Sequence, residues 1–135
     1  MSIQLSFTEE IVYEETPAGI TIFISLRHGE SEMYLEAKVD TGAEVCLFTN
    51  EIGRRLGILI EQGVPITIGT LAGALEAFGH EITLQTGELT FQSVVYFAKY
   101  PGLPRNILGR RGWLRNLKMA VVDYDNLLYL SAYES

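Results

Sequence analysis

A chain of 135 residues with 47% hydrophobic residues is long enough to bury a sizeable core and too apolar to stay disordered. Its formal net charge of -7, with no basic cluster, argues against nucleic acid and anionic membranes as partners. The single cysteine excludes an intrachain disulfide, the glutamates at 9, 10, 14 and 15 interrupt any leader peptide, and no apolar run approaches membrane-spanning length, so a single cytoplasmic domain over 1–135 is expected.

Ile3, Leu5 and Phe7 alternate, the pattern of a short strand, and a second strand is expected around Ile11-Val12-Tyr13. Pro17-Ala18-Gly19 reads as a turn. Ile20, Ile22, Ile24 and Leu26 then alternate strictly, His28-Gly29-Glu30-Ser31 reads as a hairpin loop, and residues 33–40 return. Val39-Asp40-Thr41-Gly42-Ala43 comes next. It sets a carboxylate on a tight turn, because Asp and Gly both disfavour strand interiors and apolar residues flank the turn on each side.

A short strand follows at 45–48. Thr49 or Asn50 can cap a brief helix through Leu56, with Glu51 in its first turn and Gly57 ending it. After a connection at 58–63, residues 65–69 and 75–86 read as extended. Between them lies the small, flexible run Gly69-Thr70-Leu71-Ala72-Gly73. A strand at 90–98 and an irregular loop at 100–105 precede Asn106-Ile107-Leu108-Gly109, after which a second helix is expected through about Leu117. Residues 119–124 and 127–133 form a final hairpin around Asp125-Asn126. Short strands at close spacing favour a barrel or a folded sheet.

An Asp-Thr-Gly triplet alone is a weak signal, and a plain β-turn accounts for it as well. Its chemistry offers more: Thr41 and the Gly42 amide both stand where they can hydrogen-bond near the Asp40 carboxylate and hold its orientation. Other chemistries find less support. His28 and His80 have no second cysteine or carboxylate cluster with which to build a metal site. The serines lack a Gly-x-Ser-x-Gly context, and Cys46 lies in an apolar run with no histidine near it in sequence, as a buried small hydrophobe does.

Three features taken in order are more specific: Val39-Asp40-Thr41-Gly42-Ala43, the glycine-bearing hairpin at 68–75, and Ile107-Leu108-Gly109-Arg110. Over roughly residues 20–130 this order resembles the retropepsin-like aspartic proteases, the single-domain relatives of pepsin. The resemblance implies a mostly β, single-lobe acid-protease barrel with one or two short helices, completed as a homodimer. It implies that Asp40 is the catalytic carboxylate, that Thr41 braces the paired loop across the dimer, and that Gly42 and Ala43 line the site. Gly69, Thr70, Leu71, Ala72 and Gly73 would then form a flap over the substrate with Leu71 at its tip, although Thr70 and Ala72 stand where retroviral flaps carry glycine. Ile107, Leu108 and Gly109 would pack beside the catalytic loop. Arg110 would pair with Glu44, the alternative being a solvated cation at the start of a helix.

Aspartic proteases use two carboxylates that share one proton. This chain has one Asp-Thr-Gly, and Asp123 and Asp125 lack a following Thr-Gly, so the second carboxylate is expected from Asp40 of another copy. The chain-end stretches 3–7 and 127–133 are expected to add to the interface. The implied activity is endopeptidase cleavage of a peptide or protein, with no metal or organic cofactor. The alternative is a non-catalytic peptide-binding or scaffold module that keeps the fold and its groove.

Overall fold

Alternation of apolar and polar side chains sets most of this chain into strands, and the computed structural model describes residues 1–134 of it. In chain order the elements are β1 (Glu9–Val12), β2 (Thr21–His28), β3 (Ser31–Val39), β4 (Leu47–Phe48), α1 (Asn50–Arg55), β5 (Val64–Thr70), β6 (Gly73–Thr86), β7 (Leu89–Ala98), β8 (Ile107–Leu108), β9 (Leu117–Val122) and β10 (Leu127–Ala132). Seven strands form one sheet in the order β2-β3-β8-β4-β7-β6-β5. A β2–β6 pairing from Ser25↔Gln85 to Arg27↔Thr83 closes this sheet on itself and leaves β5 outside the ring, paired with β6. The remaining strands make a smaller antiparallel sheet, β1-β10-β9.

One face of each barrel strand points inward. Ile22, Ile24 and Leu26 of β2 are buried while Phe23 between them is exposed, and Leu84, Val95, Phe97 and Leu108 complete the interior. Burying each such side chain contributes about 1.5–3 kcal/mol. Leu128, Leu130 and Tyr13 bring the smaller sheet into the same cluster. The Tyr13 hydroxyl donates to Asp123 Oδ1, tying the end of β1 to the turn between β9 and β10. That bond, with burial and repulsion from the carboxylate, pushes the Tyr13 hydroxyl up to about 12.

The helix α1 forms as its sequence dictates. Thr49 caps it, its hydroxyl accepting from Ile52 N at 3.2 Å, and Gly57 leaves it with φ +76°. Glu51 in the first turn and Arg54 and Arg55 in the last complement the helix dipole. Buried Asn50 donates to the carbonyls of Ala98 and Lys99, which fixes the helix to the end of β7.

Two expected elements do not form. Residues 3–7 make no strand: the register that sets Glu9 opposite Leu130 reaches the end of β10, Ala132, opposite Phe7. Ile3 and Leu5 are accordingly exposed. The second helix is reduced to a 3-10 turn at Leu114–Asn116. Gly112, at φ +100°, breaks any continuous helix, and the amides of Arg110 and Arg111 donate across the molecule to Ala43 O and Glu44 O.

Those cross-chain bonds position the Asp40 loop. Lys38 and Val39 pair with Ile107 and Leu108, the Asp40 amide donates to Leu108 O at 2.9 Å, and Val45 bridges Arg111. At the crossing the backbones touch. A Cβ on Gly109 would lie 2.2 Å from Val45 O and 2.8 Å from Ala43 O, a space closed to every other residue. The Gly109 amide points at Cys46 Sγ, 3.4 Å away, and burial pushes that thiol up to about 11.

The Gly109→Ala substitution is expected to cost about 3 kcal/mol or more by overpacking against backbone that cannot yield. Denaturant unfolding measures the loss, and faster labelling of the sole thiol, Cys46, reports opening at the crossing itself. Thr49→Ala is expected to cost about 1 kcal/mol through the lost helix cap, with labelling of Cys46 under native conditions unchanged.

Candidate active site

Asp40 follows directly on β3, at the point where the chain must turn. Its Oδ1 accepts from the Gly42 amide at 2.9 Å, and the Ala43 amide donates back to Asp40 O at 3.1 Å. The carboxylate is therefore oriented by its own loop, and the loop by the Leu108-Gly109 crossing behind it. Thr41 and Gly42 are exposed, and Asp40 is half-buried. A Cβ on Gly42 would sit 3.3 Å from Asp40 Oδ1, tighter than ordinary contact and against the atom its amide holds.

Asp40 opens into a cleft of about 480 Å³. Gly42, Ala43, Glu44, Val45, Leu47 and Ile107 share its floor with Asp40, and residues 66–70 of β5 form the opposite wall. The β5–β6 hairpin that carries this wall pairs from Val64↔Gly79 out to Thr70↔Gly73. Its tip, Leu71-Ala72, is fully exposed, and the Thr70 hydroxyl donates to Gly73 O at 2.7 Å across the turn. Two other concavities are larger, about 630 Å³ beside Tyr13 and Asp123 and about 530 Å³ beside Arg54 and Lys99. Volume does not single out the Asp40 cleft; its backbone-oriented carboxylate beneath a projecting hairpin does.

The structure brings together most of the site residues expected from sequence. Asp40, Gly42, Ala43, Glu44, Gly69, Thr70 and Ile107 all line the cleft. Leu71, Ala72 and Gly73 lie beyond it at the hairpin tip, and Thr41 lies beside it. Leu108 and Gly109 are buried beneath the loop as support. The expected Arg110–Glu44 pair is replaced by its neighbour: Arg111 Nε lies 3.8 Å from Glu44 Oε1, while Arg110 is exposed and contributes its backbone amide to Ala43. Both partners of the Glu44–Arg111 pair are largely exposed, so it contributes well under about 1 kcal/mol. Val45, Leu47, Ile66 and Thr67 are lining residues that the motifs do not reveal. The nearest sequence signal is the alternation of Ile66 and Ile68 beside a glycine turn, which gives one apolar face to an otherwise exposed hairpin.

Among the described residues there is no group of three or more histidine, cysteine, aspartate or glutamate side chains placed to hold a metal ion. His80 Nε2 is 2.8 Å from Ile60 O and serves the packing of the 58–63 connection. No helix among the described residues is long and apolar enough to cross a membrane.

No family model matches the chain, and no curated protein matches it. Solved structures do. A retropepsin-like aspartic protease from Rickettsia conorii is 20% identical, with 92% of this chain and 99% of that chain covered at a TM-score of 0.65. The EIAV protease, complexed with an inhibitor, is 22% identical, with 73% of this chain and 88% of that chain covered at a TM-score of 0.57. The chain thus has the retropepsin-like aspartic protease fold.

Proposed function

We propose that residues 1–135 act as one retropepsin-like unit, an aspartic endopeptidase that is complete only as a homodimer. The observation that carries this reading is the Asp40 carboxylate, oriented by the Gly42 amide at 2.9 Å and opening into a cleft walled by β5. A single such carboxylate is half of the required chemistry. The other aspartates do not supply the second half: Asp123 and Asp125 lie in the 3-10 turn after β9, and Asp123 is engaged by Tyr13.

In the dimer two Asp40 side chains face each other across a two-fold axis. Like charges that close cannot both ionise, so the pair holds one proton. The ionised member takes a proton from water, which attacks the scissile carbonyl carbon. The neutral member donates its proton to the carbonyl oxygen. Collapse of the tetrahedral intermediate returns a proton to the leaving amine. Either Asp40 can take either role.

The rest of the site fits a peptide. Val45, Leu47, Ile66, Ile68 and Ile107 give the cleft an apolar lining suited to peptide side chains. Thr41 stands exposed where its hydroxyl can brace the loop of a second copy. Among the described strands, the hairpin carrying Gly69, Thr70, Leu71, Ala72 and Gly73 pairs with the barrel through β6, an attachment suited to a closing flap.

The Asp40→Asn substitution is expected to lower peptide cleavage by about a thousand-fold or more, because Asn offers neither an anionic base nor a carboxyl proton. Sedimentation and circular dichroism are expected to stay unchanged. Cleavage by the wild-type protein is expected to fall at both ends of the pH range, at one end with both carboxyls protonated and at the other with the shared proton lost. Undiminished cleavage by purified Asp40→Asn protein refutes the assignment.

A further inference from the structure

A second concavity, of about 530 Å³, lies between helix α1, the end of β7 and the connection at 58–63. It shares no lining residue with the Asp40 cleft, and its volume is in the range of small-molecule sites. The protein carries a net charge of -7, yet two cations, Arg54 and Lys99, line this concavity against one carboxylate, Glu61.

One buried side chain places both cations. Asn50, 2% exposed, donates through Nδ2 to Ala98 O at 3.2 Å and to Lys99 O at 2.9 Å, and its Oδ1 accepts from Arg54 Nε at 2.9 Å. Both Nδ2 hydrogens are committed to the end of β7, so the amide holds the guanidinium in a fixed relation to Lys99. Arg54 is oriented through Nε, which leaves its terminal N–H groups for another acceptor, and among the described residues it forms no ion pair. Arg55, in the same last turn of α1, does not line the concavity. Lys99 Nζ is 3.6 Å from Glu76 Oε2 and 5.3 Å from the centre of the Tyr100 ring, and an ammonium has three donors to share. The 58–60 stretch supplies an apolar wall: Ile58 and Ile60 are buried, and Leu59 is 66% exposed.

We propose that this concavity is a second binding site, for a small monocarboxylate with an apolar body, its carboxylate on Arg54 and Lys99 and its body against Leu59. A planar carboxylate accepts two parallel N–H bonds from a guanidinium, the strong and directional form of charge-assisted bond. Covering Leu59 adds an apolar contribution. A doubly charged phosphate monoester is disfavoured, because Glu61 and Glu76 already stand beside the cations. Two sources carry the favoured chemistry: a free apolar acid, and the C-terminal carboxylate of a peptide that ends in an apolar residue. A ligand so held touches α1, the end of β7 and the connection that runs into β5. Binding here does not depend on Asp40.

The test is an NMR titration of the isotope-labelled wild-type chain with three probes: N-acetyl-L-leucine, N-acetyl-L-leucinamide and hexanoate. The signals read are the Arg54 Nε–H and the backbone amides of residues 57–62. N-acetyl-L-leucine is expected to shift them saturably while the amides of Gly42 and Ala43 stay in place. The leucinamide, alike in shape but uncharged, is expected to bind about tenfold more weakly or worse. Arg54→Gln is expected to weaken binding of the acid by about tenfold or more, read from the backbone amides. Arg55→Gln, the same loss of charge in the same helix turn, is expected to change it by less than about twofold. Hexanoate separates the sources: affinity equal to that of N-acetyl-L-leucine marks a site for free apolar acids, weaker affinity marks one for peptide termini, and either supports the carboxylate assignment. The absence of saturable shifts at millimolar acid overturns the proposal. So does equal affinity for acid and amide, or an equal loss from Arg54→Gln and Arg55→Gln. Should Arg54→Gln fail to fold, the comparison of acid and amide on the wild-type chain decides alone.

Discussion

The backbone contact between Gly109 and the Asp40 loop is the constraint on which the site depends. Atoms of Val45 and Ala43 occupy the volume that any side chain at 109 would need. That closeness lets the amides of Asp40, Arg110 and Arg111 find carbonyl partners on the opposite segment, so the loop is held by main-chain bonds and not by side-chain packing alone. A carboxylate held this way keeps its orientation without reorganisation, which a site that places acid and base within hydrogen-bonding reach requires. Cys46 belongs to the same arrangement: its thiol accepts from the Gly109 amide and donates to Arg111 O at 3.6 Å, so it fills the crossing.

The barrel and the hairpin divide rigidity and freedom between them. β6 is shared: its second half pairs with both β7 and β2 inside the ring, and its first half carries β5. The wall opposite Asp40 is thus anchored in the core at one end and ends in the exposed Leu71-Ala72 tip at the other. An element with few buried side chains beyond its anchor is drawn from the less stable part of a fold.

Much of this was legible in the sequence where a residue type meets a local demand. Asp40-Thr41-Gly42 reads as a turn because Asp and Gly disfavour strand interiors, the alternation in β2 marks its buried face, and Thr49 and Gly57 bracket α1 as a cap and a stop should. What stayed hidden depends on partners. Alternation at Ile3, Leu5 and Phe7 does not say that β10 ends before it can pair with them. The stretch after Gly109 has helical composition, but its amides are taken by Ala43 and Glu44. Arg110 and Arg111 are interchangeable on paper; the crossing turns the second, not the first, toward Glu44. The cleft walls at Val45 and Ile66 come from segments far apart in sequence, and only the closed sheet brings them face to face.

The central claim is that one active site is assembled from two chains, each giving one Asp40. The stoichiometry of a tight-binding peptide mimic bearing a non-cleavable hydroxyl at the scissile position tests it most directly, by calorimetric titration of the wild-type protein. One mimic bound per two chains is the expected result; one per chain contradicts the account, because each copy would then hold a complete site of its own.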